Sequence, residues 1–288
     1  MNAFVRCGAV FGLAVATRFA GASNLPLPAL SAPANEREPG FHLELLPKAF
    51  QRNPQLEMTV LTEVTPDGRA QPAPAPESPA YYAIYNSGMQ QRGQPVAGFT
   101  APDPVYLEDV LRRALRASGF LPAGPEHAPS VFLVLHWGVH SQMDFEMRRM
   151  FPELALRHRL ERMRLVGGRR FETFLLRRIQ FAEGLVPLPS KQENLHDQAM
   201  QDIYFAIVSA YDYAALSQGR RRLLWRTSLT AGATGISLRE SMPALLLSGG
   251  PYFGREMPEP EFVFRRLRRG VVEFGEPQVV ETDVDLSR

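Results

Sequence analysis

Seven consecutive residues, 131–137 (VFLVLHW), constrain this chain more than any other stretch. A run so apolar and so rich in β-branched and aromatic side chains has no polar side to offer water. It suits a strand covered on both faces. Such a strand needs paired neighbours in a sheet and further elements laid over that sheet.

Neighbours are readable in several places. In 41–45 (FHLEL), and again where Leu56, Met58 and Val60 interleave with Glu57 and Thr59, apolar and polar residues alternate as in half-buried strands. Residues 81–85 (YYAIY) read as a strand ended by Asn86-Ser87-Gly88. Residues 203–210 (IYFAIVSA) read as a buried strand, the alternative being the end of a longer helix that begins near Glu193. Residues 223–230 (LLWRTSLT) pair with them across 212–222, and 271–274 with 278–284 suit a closing hairpin around Gly275-Glu276-Pro277.

The cover comes from helices. Asp103 can cap one, Pro104 suits its first position and Gly119 its stop, with Leu107, Val110, Leu111, Ala114 and Leu115 forming one apolar stripe. A second begins with Ser237 and Glu240 at capping-box spacing, carries Leu238, Met242, Leu245 and Leu246, and stops at Gly249-Gly250-Pro251. Between the strands lies an Arg-rich insert, 144–180: Pro152 opens one helical segment, Gly167-Gly168 breaks it, and Phe171, Phe174, Leu175 and Ile179 mark the next. Residues 66–79 hold five prolines and read as a surface loop. The sum is an α+β domain over 41–288, a mixed, largely antiparallel sheet with helices packed on one face and an inserted helical hairpin. With 45% hydrophobic and 22% charged residues the chain has material for such a core.

The first residues point to export. Arg6 precedes an apolar run, 8–16 (GAVFGLAVA), and Ala20-Gly21-Ala22 supplies a small-residue cleavage site, the layout of a signal peptide over 1–22. Residues 23–40, with four prolines, read as a disordered lead-in. Cleavage removes Arg6, Arg18 and no acid, leaving 30 basic and 30 acidic residues. It also removes Cys7, the only cysteine, which lies before the apolar run rather than after it as lipid attachment requires. No other run is long enough for a membrane helix, and neither global charge nor an exported location favours nucleic acid.

Nucleotide, zinc-protease and nucleophile-elbow motifs are absent from the sequence. His136 and His140, with Asp144 and Glu146 beyond, are weak candidates for a metal, because i, i+4 imidazoles converge only on a helix and Gly138 sits between them at the end of a strand. No cofactor is implied. Asp212, flanked by Tyr211 and Tyr213, is the carboxylate for catalysis, as an acid or base raised by its aromatic neighbours, or else a turn organiser. The insert carries ten arginines against five acids. Arg157, Arg162 and Arg164 are therefore candidates to meet an acidic envelope protein or an anionic membrane surface, the alternative being a solvated helix face.

Several stretches together resemble a family of exported bacterial envelope proteins of unknown function. They are Leu45-Leu46-Pro47-Lys48-Ala49-Phe50, 56–65 (LEMTVLTEVT), Pro79-Ala80-Tyr81-Tyr82 and Gly119-Phe120-Leu121-Pro122-Ala123. With them go Pro129-Ser130, His136-Trp137-Gly138, Phe151-Pro152-Glu153-Leu154, Ala210-Tyr211-Asp212-Tyr213 and Leu224-Trp225-Arg226-Thr227. More distantly the element order is similar to small α+β envelope lipoproteins, from which this chain departs in its insert and in lacking the lipid-attachment cysteine. The resemblance implies a binding or assembly module rather than an enzyme and names no catalytic residue. An exported hydrolase using Asp212 or the His136/His140 region is the alternative, and peripheral membrane association through the insert a third.

Overall fold

The computed structural model describes residues 46–75, 77–94, 100–180 and 187–269. The signal peptide, the lead-in, the strand expected at 41–45 and the closing hairpin at 271–284 lie outside those residues. Within them the chain forms strands β1 (Gln55–Val64), β2 (Ala80–Arg92), β3 (Phe120–Pro122), β4 (Val131–His140), β5 (Ile203–Asp212), β6 (Leu223–Gly232) and β7 (Glu261–Arg266). The helices are α1 (Pro66–Arg69), α2 (Pro104–Arg116), α3 (Phe145–Met150), α4 (Pro152–Gln180), α5 (Ser190–Ala199), α6 (Tyr213–Ser217) and α7 (Leu238–Gly249).

One sheet runs in the order β3-β2-β4-β5-β6-β1-β7. β2 lies parallel to β3 and to β4, while β4–β5, β5–β6, β6–β1 and β1–β7 are antiparallel. The fold is thus α+β on a mixed sheet, with the apolar run of β4 near its centre. Alternate residues of β4 (Leu133, Leu135, Trp137) join Leu107, Leu111 and Leu115 of α2 and Met242 and Leu245 of α7 in the larger core. The opposite face is covered by the insert: Ile203 and Phe205 of β5 pack with Met163, Val166 and Phe171 of α4 and Leu195 of α5.

Double cover changes the reading of β1. Leu56, Met58 and Val60 join the core beside α2 and α7, yet Thr59 and Leu61 are buried as well, Thr59 against α5 and Leu61 beside Gly168 of α4. Thr59 donates to the Gln198 side chain of α5. Residues 203–210 are strand, as the favoured reading has it, and not the end of a longer helix. A helix ends at Ala199, and Asp202 lies between it and a ten-residue strand from Ile203.

Three other departures have local causes. Asn86-Ser87-Gly88 does not end β2 but forms a bulge, the register with β4 shifting between Asn86 and Met89. Gly88 takes the left-handed φ of 77° that a turn would also use, so composition alone cannot separate the two. The proline-rich stretch opens with one helical turn, α1, because Thr65 caps the Gly68 amide and Pro66 occupies the first position. In α4 the two predicted segments abut directly at Gly168, whose φ of 74° and ψ of −176° interrupt the helix.

Candidate functional site

The alternation of β4 sends His136 and His140 toward the insert-covered face. They do not share a ligand-like focus, as two histidines four apart on a strand cannot. His136 is half-buried at the bulge, its Nδ1 2.8 Å from Ser87 Oγ and 3.1 Å from Gln90 Nε2. Burial first, then the charges of Arg92 and Arg226, push its pKa down. His140 is fully buried and meets His158 of α4 edge-on, ring centroids 4.5 Å apart. Burial, followed by His158 and Arg162, pulls His140 down to about 3. It is therefore neutral at pH 7, and the exposed Glu161 carboxylate 4.0 Å from its Nε2 is not its ion-pair partner there.

The residues expected beside these histidines are occupied elsewhere. Asp144 caps α3 by accepting the Met147 amide at 2.7 Å, and Glu146 pairs with Arg149 at 3.1 Å. Among the described residues no three His, Cys, Asp or Glu side chains gather as a metal site.

Asp212 caps α6, accepting the Ala215 amide at 2.9 Å, and lies 3.6 Å from Arg222 Nη1. That is the geometry of a turn organiser. Of the three arginines, Arg157 and Arg164 are exposed, the latter 3.8 Å from Glu172. Arg162 does not belong with them. It is 1% exposed, and its Nε donates to the Ala199 carbonyl at the end of α5 at 2.8 Å. Helical spacing explains the split. Leu154, Arg157, Glu161 and Arg164 recur on the outer stripe of α4, while Arg162, Met163 and Val166 turn inward.

Around Arg162 the structure assembles a cluster that the sequence did not flag as one. Its Nη1 and Nη2 have no hydrogen-bond partner among the described residues, nor has the buried Nε of Arg159. Arg159 Nη2 donates to His196 Nε2 at 3.1 Å, which leaves the His196 proton on Nδ1, 3.5 Å from Asp197. Asp202 raises the Arg162 pKa, but burial outweighs it and the guanidinium is lowered to about 10. The Asp202 carboxylate is engaged by the Gln142 amide at 2.7 Å.

These groups line a cleft of 290 Å³ between the β4–α3 connection and α4, with Arg148, His158, Arg159 and Arg162 against Leu156 and Met200, and no acidic residue in its wall. A second cleft, of 440 Å³ beside Gly168, is different. Its Arg69 and Lys191 are already paired with Glu256 and Glu259.

No family model and no curated protein matches the chain. Among solved structures, a point variant of the PelC dodecamer from Paraburkholderia phytofirmans is 14% identical over 67% of this chain and 95% of that one, with a TM-score of 0.28. The PelC dodecamer of the same organism in another crystal form is 12% identical over 69% of this chain and 99% of that one, with a TM-score of 0.29. At these TM-scores the likeness carries nothing about function to this chain.

Proposed function

We propose that this chain is a non-catalytic binding or assembly module of the bacterial envelope, exported by its first 22 residues, whose α3–α4 insert meets an acidic macromolecular partner. One observation carries the binding half. Among the described residues, six of the twelve exposed large apolar side chains lie on the insert: Phe145, Met150, Phe151, Leu154, Leu156 and Phe174. The same stretch has an excess of five positive charges over 144–180. Exposed apolar groups beside arginine are the composition of protein interfaces and of helices that lie on anionic lipid. The catalytic alternative has less behind it, since Asp212 holds a helix end and His136 and His140 belong to separate surroundings.

Photo-crosslinking in the native cell tests the reading, with the reactive group placed at Phe145 or Phe151 and, as the control, at exposed Tyr106 of α2. Crosslinks from the insert to a defined envelope protein, lost on reversing Arg149 and Arg157, are the expected result. Sedimentation with phosphatidylglycerol vesicles, and not with phosphatidylcholine, would instead identify a lipid surface as the partner. Crosslinks confined to Tyr106, with no vesicle binding, would overturn the assignment of the surface.

A further inference from the structure

A buried guanidinium with two unused nitrogens needs a counter-charge, because burying an unpaired cation is costly and the attraction of an anion is stronger away from water. Arg162 is such a group. Its Nε is fixed on Ala199, which leaves the forked Nη pair buried without a partner behind the wall of the 290 Å³ cleft that Arg162 helps to line. Arg159 adds a further unsatisfied nitrogen, and Arg148 and His158 stand in the same wall. A planar fork of donors matches the two oxygens of a carboxylate or phosphate. The remaining wall is apolar, with Met143, Leu156 and Met200 among its lining residues. The volume lies near the lower end of the range for small-molecule sites, roughly 300–1,000 Å³.

We propose that this cleft is a binding site for an oxyanion, a phosphate or carboxylate group, held by Arg162 and Arg159, with Met143, Leu156 and Met200 receiving a short apolar portion of the ligand. The anion completes the hydrogen bonding of Arg162 and joins the β4–α3 connection, α4 and the end of α5 through one charge. The cleft shares Leu156 with the exposed apolar set but includes neither Phe145 nor Phe151, so loss of binding here and loss of crosslinking at those two positions are distinguishable results.

Calorimetric titration of the whole chain tests the site with two probes, inorganic phosphate and octyl phosphate. Saturable binding is expected, weakened ~10-fold or more by Arg162→Met and by Arg159→Gln, since each removes charge-assisted hydrogen bonds. Arg148→Ala, at an exposed position, should weaken it several-fold and keeps the test open if Arg162→Met does not fold. Octyl phosphate binding tighter than inorganic phosphate identifies an amphiphile as the source of the anion. Equal affinities identify a free oxyanion. Absence of saturable binding of both probes at millimolar concentration, or binding unchanged in Arg159→Gln and Arg148→Ala, would overturn the proposal.

Discussion

Arg157, Arg162 and Arg164 share a helix, a charge and near-identical sequence surroundings, yet one is buried and two are exposed. Reversing Arg157 or Arg164 to Glu should change stability by only ~0–1 kcal/mol in a thermal melt, as exposed pairs do. Arg162→Glu should cost ~3–5 kcal/mol or prevent folding, because it buries an uncompensated carboxylate. The sequence contained the signal for this difference, the inward phase of Arg162 with Met163 and Val166. It was masked because an arginine-rich stretch reads as solvated unless the phase of its apolar residues is followed. His140 shows a similar limit. Its strand was legible, but its partner His158 comes from a helix eighteen residues on, and no spacing rule joins a strand to a helix laid over it. Its pKa of about 3 lies below the value near 6.5 expected in the unfolded chain, so the unfolded state binds a proton that the folded state refuses. That contribution to stability is intact above about pH 6.5 and is lost as pH falls toward 3. His136 and His158 shift in the same direction. Melting temperature should therefore drop between pH 7 and 5, and His140→Gln should make that drop shallower.

Caps and stripes made the helices of the main core readable. In α7 both halves of the capping box form, the Ser237 amide donating to Glu240 at 3.0 Å and the Glu240 amide to Ser237 Oγ at 3.3 Å. Arg269 Nε also donates to Glu240 at 2.7 Å and, ahead of the Ser237 bonds, holds its pKa down at about 2. A carboxylate depressed in this way stabilises the fold above about pH 4.5, and the contribution fades as pH falls toward 2. Arg269→Gln should remove most of that acid dependence, measured by denaturant titration at pH 5 and pH 3. Leu111→Ala in α2, where the side chain is fully buried against the sheet, should cost ~2–5 kcal/mol. Edges were less legible than centres. β3, three residues long, and β7, with exposed Arg265 and Arg266, carry too little alternation to declare themselves and exist through pairing with β2 and β1.

Taken whole, the insert is part of the core as well as a surface. Met163, Val166, Phe171 and Leu195 cover Ile203 and Phe205, so excising 144–199 would expose one face of the sheet. Such a deletion should yield aggregated or dye-binding protein by light scattering and ANS fluorescence, whereas a detachable appendage would leave a soluble remainder. Export belongs to this scale as well. N-terminal sequencing of envelope-fraction protein should begin near Ser23, and an intact Met1 on cytoplasmic protein would refute it. Fold class was readable because α+β follows from element order. Double cover was not, because the insert's contacts with the sheet span dozens of residues.

Arg269 also donates to the carbonyls of Lys48, Ala49 and Gln51, and beside it Gln55 of β1 pairs with Arg266 of β7. The two flanks of the described chain therefore enter and leave at one corner. Tension applied between them would meet first the Arg269 clamp and then β7, whose bonds to β1 are loaded one rung at a time, as a zipper is opened rather than as a lap joint is sheared. Single-molecule pulling through these flanks should release β7 at low force, before the α2–α7 core yields. A module tethered through both flanks would thus give way first at its edge strand.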